Sequence, residues 1–82
     1  MKIEIGKDYR LLNPVNKGKR ACYGIFSCLE CVEGVYSGTI REYTAGVLST
    51  DYEPCKWDFN DKGKEVDEKG VVINGFVLEK MK

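Results

Sequence analysis

Histidine is missing from this sequence. That excludes Ser-His-Asp and Cys-His arrangements, in which an imidazole relays the proton. Neither G-x-x-x-x-G-K-[ST] nor G-x-G-x-x-G occurs, so backbone cradling of a phosphate has no basis here. No apolar run reaches the roughly 18 residues that a helical membrane span needs. The opening MKIEIGKDYRLL interrupts its apolar residues with Lys2, Glu4, Lys7, Asp8 and Arg10. It therefore does not read as a secretory signal. The expected compartment is the cytoplasm, where thiols stay reduced. Net charge is lacking too, since 13 basic residues balance 13 acidic ones. A nucleic-acid binder driven by phosphate contacts normally shows a basic surplus. Repeats, low-complexity tracts and linkers are also absent.

What is present points to one small folded unit spanning residues 1–82. The chain is 43% hydrophobic, a folding composition rather than a disordered one. A core of this size stabilises by only about 3–5 kcal/mol. A deep internal pocket would consume much of that, so function is expected on the surface.

Nine glycines punctuate short apolar runs, which is the grammar of a β protein with many turns. Ile3–Ile5 and Tyr9–Leu12 read as a first strand, broken near Gly6. Asn13-Pro14 and Asn16-Lys17-Gly18-Lys19 are turn signals. Arg20–Phe26 reads as the next strand. Ser27-Cys28-Leu29-Glu30 has the form of a capping box and predicts one helical turn over 28–33, stopped at Gly34. Val35–Tyr43 alternates Tyr36, Gly38 and Ile40 with Ser37, Thr39 and Arg41, a strand with one apolar face. Val47–Leu48 is placed to pair back across Gly46. Cys55–Phe59 and Lys64–Val66 flank Asn60-Asp61-Lys62-Gly63, a hairpin loop. Asn74-Gly75 lies between Val71–Ile73 and Phe76–Leu78. It predicts a second hairpin, with one unbroken strand as the competing reading. The sum is an all-β protein of five to seven short strands, an antiparallel meander or a small SH3-like barrel with one helical turn.

Four cysteines are the most conspicuous chemistry. Cys28 and Cys31 form C-x-x-C, and Cys22 with Cys55 could complete a tetrahedral zinc site. The alternative is that all four are reduced and act as small hydrophobes. Redox use of Cys28 and Cys31 is opposed by Glu30 and Glu33, which disfavour a thiolate. Asp58 with Asp61, and Asp67 with Glu68, are conceivable acid–base pairs, but they fall in expected loops. No cofactor is implied.

Tyr9, Tyr23, Tyr36, Tyr43, Tyr52, Trp57 and Phe59 are many aromatics for so short a chain. Some must form the core. The others, with arginine, are the preferred anchors of protein interfaces. Arg20, Tyr36, Arg41, Tyr43 and Trp57 are the candidate binding residues on this ground. The same residue types can stack unpaired bases. Charge is also polarised: residues 1–20 are basic and residues 51–70 acidic, which suits either two faces or a solvated surface.

Gly34-Val35-Tyr36-Ser37-Gly38-Thr39-Ile40 through Val47-Leu48 resembles the first Sm motif, and Ile73-Asn74-Gly75-Phe76-Val77-Leu78 the second. The Asp and Asn that contact RNA in that family have no counterpart in Tyr43–Gly46. The order Ile5-Gly6-Lys7-x-Tyr9-Arg10, Val35-Tyr36-x-Gly38, Trp57-x-x-Asn60-x-x-Gly63-Lys64 and Val77-Leu78-Glu79 resembles short phage-encoded accessory proteins. That resemblance implies a stand-alone β protein that binds a factor in the host cytoplasm.

Together these readings lead to a non-enzymatic binding protein that modulates or inhibits a larger protein partner. A small nucleic-acid or nucleotide binder and a zinc-stapled module are the alternatives.

Overall fold

The computed structural model describes residues 1–81 as eight strand segments: β1 (Asp8–Leu12), β2 (Cys22–Val32), β3 (Val35–Thr44), β4 (Val47–Leu48), β5 (Glu53–Pro54), β6 (Asp58–Phe59), β7 (Lys64–Val66) and β8 (Val72–Lys80). All pairings are antiparallel. They run β1 to β2, β2 to β3, β3 to β6, β6 to β7, β7 to β8, and β8 back to β1. The circuit closes, so the six strands form a small barrel, with β4 and β5 attached to β3. Closure removes the open edges on which a flat sheet would aggregate.

Alternation along each strand fills the barrel. Tyr9 and Leu11 of β1, Phe26 and Cys28 of β2, Ile40 of β3, Phe59 of β6 and Leu78 of β8 point inward, joined by Ile3 from the segment before β1. Phe26 and Phe59 meet edge to face with centroids 5.0 Å apart. Gly6, at φ +88°, turns the chain between Ile3 and β1. The Tyr9 hydroxyl, accepting from the Glu4 amide at 2.8 Å, fastens that segment over one end of the barrel.

The long β2–β3 hairpin wraps most of the barrel, and glycine permits its curvature. A Cβ on Gly38 would sit inside contact distance of the Ser27 carbonyl oxygen, 2.9 Å from Ser27 C and 3.1 Å from Leu29 N. The crowding coincides with an extra residue in β2, since Cys28 opposes Gly38 while Glu30 opposes Ser37. Such a bulge bends the strand and tightens its twist.

Two local expectations are corrected. Residues 28–33 form no helical turn: β2 continues to Val32, and Glu33-Gly34 are the hairpin loop. Both have positive φ, 51° and 78°, as a tight hairpin turn requires. Pairing with β3 overrides a capping signal that one turn of helix could not exploit. Asn74-Gly75 also makes no hairpin. Both residues have positive φ, but they lie within β8, which is continuous from Val72 to Lys80. They form a wide bulge, since Lys64 and Val66 of β7 oppose Val77 and Val72. The competing reading of an unbroken strand is the observed one. The Asn60–Gly63 loop joins β6 to β7 as expected, and Asn60 Oδ1 accepts from the Lys62 and Lys64 amides at 3.0 and 2.9 Å. No helix among the described residues is long and apolar enough to cross a membrane.

Candidate functional site

Residues that alternate with the core point out of the barrel, and one outer row is built from arginine. Arg10 of β1, Ile25 of β2 and Arg41 of β3 are register partners in sequence across the strands, and Glu79 of β8 stands beside Arg10. Arg10 is ion-paired with Glu79. Arg41 approaches Asp8 at 3.7 Å. The Ser27 hydroxyl holds that same aspartate at 2.7 Å. Ile25 is only 3% exposed although it faces outward. Flanking arginine stems are suited to shield such a residue while their heads remain polar.

The Arg41 guanidinium lies over the Tyr52 ring, 4.7 Å from its centroid. This follows from register: Ile40 opposes Glu53, so the next residues, Arg41 and Tyr52, share the outer side. Tyr52 is 59% exposed and Tyr43, on the same face of β3 as Arg41, is 39% exposed. Beside them Arg10, Cys22, Tyr43 and Gly46 line a shallow depression of about 500 Å³. Cys22 and then Glu79 push the Arg10 pKa further up. The face therefore holds two guanidiniums and two partly exposed tyrosine rings, with the arginine charges largely balanced.

Irregularity in β2 sorts the neighbouring residues. Leu11 opposes Gly24, but Leu12 opposes Cys22, so Tyr23 is an extra residue. Cys22 consequently faces the arginine row, while Tyr23 turns to the barrel interior. There it packs edge-on against Trp57 and Phe76, with centroids 5.0 and 5.9 Å away. Trp57 and Phe76 stack at 4.4 Å. These half-buried rings close the barrel end opposite Ile3. The Tyr23 hydroxyl donates to Glu42, and this bond, with burial and nearby Glu53, pushes the Tyr23 pKa up to about 12.

The five candidate binding residues thus separate. Arg41 and Tyr43 share the outer face. Trp57 belongs to the aromatic plug. Tyr36 pairs with Cys31 on the β2–β3 hairpin and faces the Phe59 side; its pKa is raised first by the Cys31 thiol and then by burial. Arg20 serves the fold: its guanidinium donates to Asn13 O at 3.2 Å and to Gly75 O at 2.6 Å, tying the turn before β2 to the β8 bulge. Sequence reasoning missed Tyr52, Arg10 and Tyr23 as members of these groups. Long-range strand register assembles the first two and a bulge in β2 the third, and neither has a signature in composition.

The zinc set is not assembled. Among the described residues no group of three or more His, Cys, Asp or Glu could hold a metal ion. Cys22 lies on the outer face, Cys28 in the core, and Cys31 is exposed on the hairpin. Burial pushes the pKa of Cys28 up, and that of Cys55 up to about 11. Both are thiols at neutral pH.

No family model matches the chain, and no curated protein or solved structure matches it either.

Proposed function

We propose that this protein is a non-enzymatic binding protein that acts in the cytoplasm by covering a surface of a larger protein, and inhibits or modulates it by occlusion. The observation that carries the reading is the outer face of Arg10, Arg41, Tyr43 and Tyr52. Tyrosine and arginine are the side chains that anchor protein interfaces. Here they are held in place by an ion pair, a cation–π contact and a rigid sheet, so little freedom remains to be lost on docking.

The charge balance favours a protein surface over a phosphate backbone. Arg10 and Arg41 already face Glu79 and Asp8, so a phosphate would have to displace a carboxylate from each. The resemblance to phage accessory proteins supports a host factor as the target.

The test is affinity capture from lysate with the wild type beside Arg41→Ala and Tyr52→Ala, both checked by circular dichroism for an intact barrel. A protein held by the wild type and released by both variants supports the reading. Equal retention by all three overturns the assignment of the face. Binding that collapses steeply between low and moderate salt would instead mark phosphate contacts.

A further inference from the structure

Glu65 is the one buried charged residue among the described residues, at 3% exposure. It opposes Phe59 in the β6–β7 ladder, so its side chain lies on the interior side of the barrel. Its Oε2 accepts from Asn74 Nδ2 at 3.0 Å. Its Oε1 is buried with no hydrogen-bond partner. A half-satisfied buried carboxylate destabilises a small barrel, and such groups are rare enough in folded proteins to need an explanation.

The explanation lies in what surrounds it. Lys64 opposes Val77 and Val66 opposes Val72, so Glu65 faces the stretch of β8 that holds Asn74 and Phe76, and Phe76 stacks on Trp57 at 4.4 Å. Glu65 therefore stands at the end of the barrel closed by Tyr23, Trp57 and Phe76. Glu42 and Glu53 border the same end, both acting on Tyr23. The ion pairs among the described residues are Lys7–Glu4, Arg10–Glu79 and Arg41–Asp8, so none of these glutamates has a cationic partner. Arg20 is turned to the backbone carbonyls of Asn13 and Gly75, and Arg41, beside Glu42 in β3, is committed to Asp8 and the Tyr52 ring. Lys64, adjacent to Glu65 in β7, points to the opposite face by strand alternation.

We infer that this aromatic and acidic end of the barrel receives a cationic side chain, lysine or arginine, from a partner protein. Aromatic rings attract a cation through their electron-rich faces, and the attraction grows when the site is partly desolvated. Charges in a low-dielectric end of the barrel interact more strongly than they would in water. The site is separate from the outer arginine face and can bind whether or not that face does.

Trp57 is the only tryptophan, so it reports on this end directly. The probe is a tri-arginine peptide with blocked termini, titrated at constant ionic strength against the full chain, with a tri-glutamate peptide as control. Trp57 fluorescence and amide chemical shifts are followed together. The expected result is a saturable change in Trp57 emission with tri-arginine alone, and shifts centred on Tyr23, Glu42, Glu53, Trp57 and Phe76. Glu65→Gln keeps the shape and removes the charge. It should weaken the peptide at least about 5-fold while leaving the unfolding midpoint unchanged or higher, because the orphaned charge is gone. Glu53→Gln, at an exposed position, weakens binding without touching the core and serves if Glu65→Gln misfolds. Shifts centred instead on the Asp67–Glu68 turn, equal binding of tri-glutamate, or unchanged affinity in both glutamine variants would overturn the inference.

Discussion

Replacing Gly38 with alanine tests the geometry of the barrel at its tightest point. The added methyl would collide with the Ser27 carbonyl and sit 2.9 Å from Ser27 C and 3.1 Å from Leu29 N. Carbon contacts are comfortable at about 3.5–4.0 Å, so β2 and β3 must separate locally by roughly an ångström. Overpacking of this kind costs about 1–3 kcal/mol. The neighbouring ladder bonds then stretch, at about 0.5–1.5 kcal/mol for each one lost. With two affected, the total is about 2–6 kcal/mol. Domains as a class are stable by only about 5–15 kcal/mol, and one this small belongs near the lower end. Gly34→Ala is the matched control. It sits in the β2–β3 loop at φ +78° with open space around it, so it pays only the left-handed strain of about 1–2 kcal/mol. Urea unfolding followed by Trp57 fluorescence measures both. Gly38→Ala should unfold at a clearly lower midpoint than Gly34→Ala, with slopes alike. If Gly38→Ala unfolds at the same midpoint as Gly34→Ala or at a higher one, the strands do not cross as closely as described and the steric argument fails.

Tyr23 should ionise well above the ordinary tyrosine value. Its folded pKa is about 12 against 10.0 for the free side chain, so the barrel holds its proton more tightly than the unfolded chain does. The stability this contributes is complete below the unfolded value and is lost as pH climbs through the folded one. Ultraviolet titration of tyrosinate in wild type and Glu42→Gln checks this; a single step near the ordinary value in both proteins refutes it. Asn74→Ala removes the one side-chain donor to Glu65 and should destabilise by about 1–3 kcal/mol. Most of that cost should disappear in a Glu65→Leu background, and a double-mutant cycle with no coupling would contradict the contact. Alkylation of the native protein should reach exposed Cys31 well before buried Cys28 and half-buried Cys55, whose thiols are shifted upward. Peptide mapping that finds Cys28 modified as fast as Cys31 would mean that the core is open.

Short-range patterns already determined much of this protein. Alternation in Val35–Tyr43, the Asn60–Gly63 loop and the pairing of Val47–Leu48 across Gly46 each needs only neighbouring residues, and each is observed. The all-β class follows from the same patterns. The Ser27–Glu30 and Asn74–Gly75 signals were overruled because their neighbours in space outweigh them. A capping box offers one or two hydrogen bonds, whereas β2 gains pairing with β3 on both sides of the bulge, as far as Val32. Positive φ at Asn74-Gly75 suits a bulge as well as a reversal, and only the pairing of β8 with both β1 and β7 decides between them.

The candidate sites depended on tertiary structure still more. Composition supplied aromatic and charged residues in surplus without saying which share a face. One extra residue at Tyr23 sends Cys22 outward and Tyr23 inward, and register alone sets Arg41 over Tyr52. Side chains on a strand alternate with a period of two, so a single-residue slip exchanges the faces. The residue types are written in the chain, but which of them meet is settled only when the barrel closes.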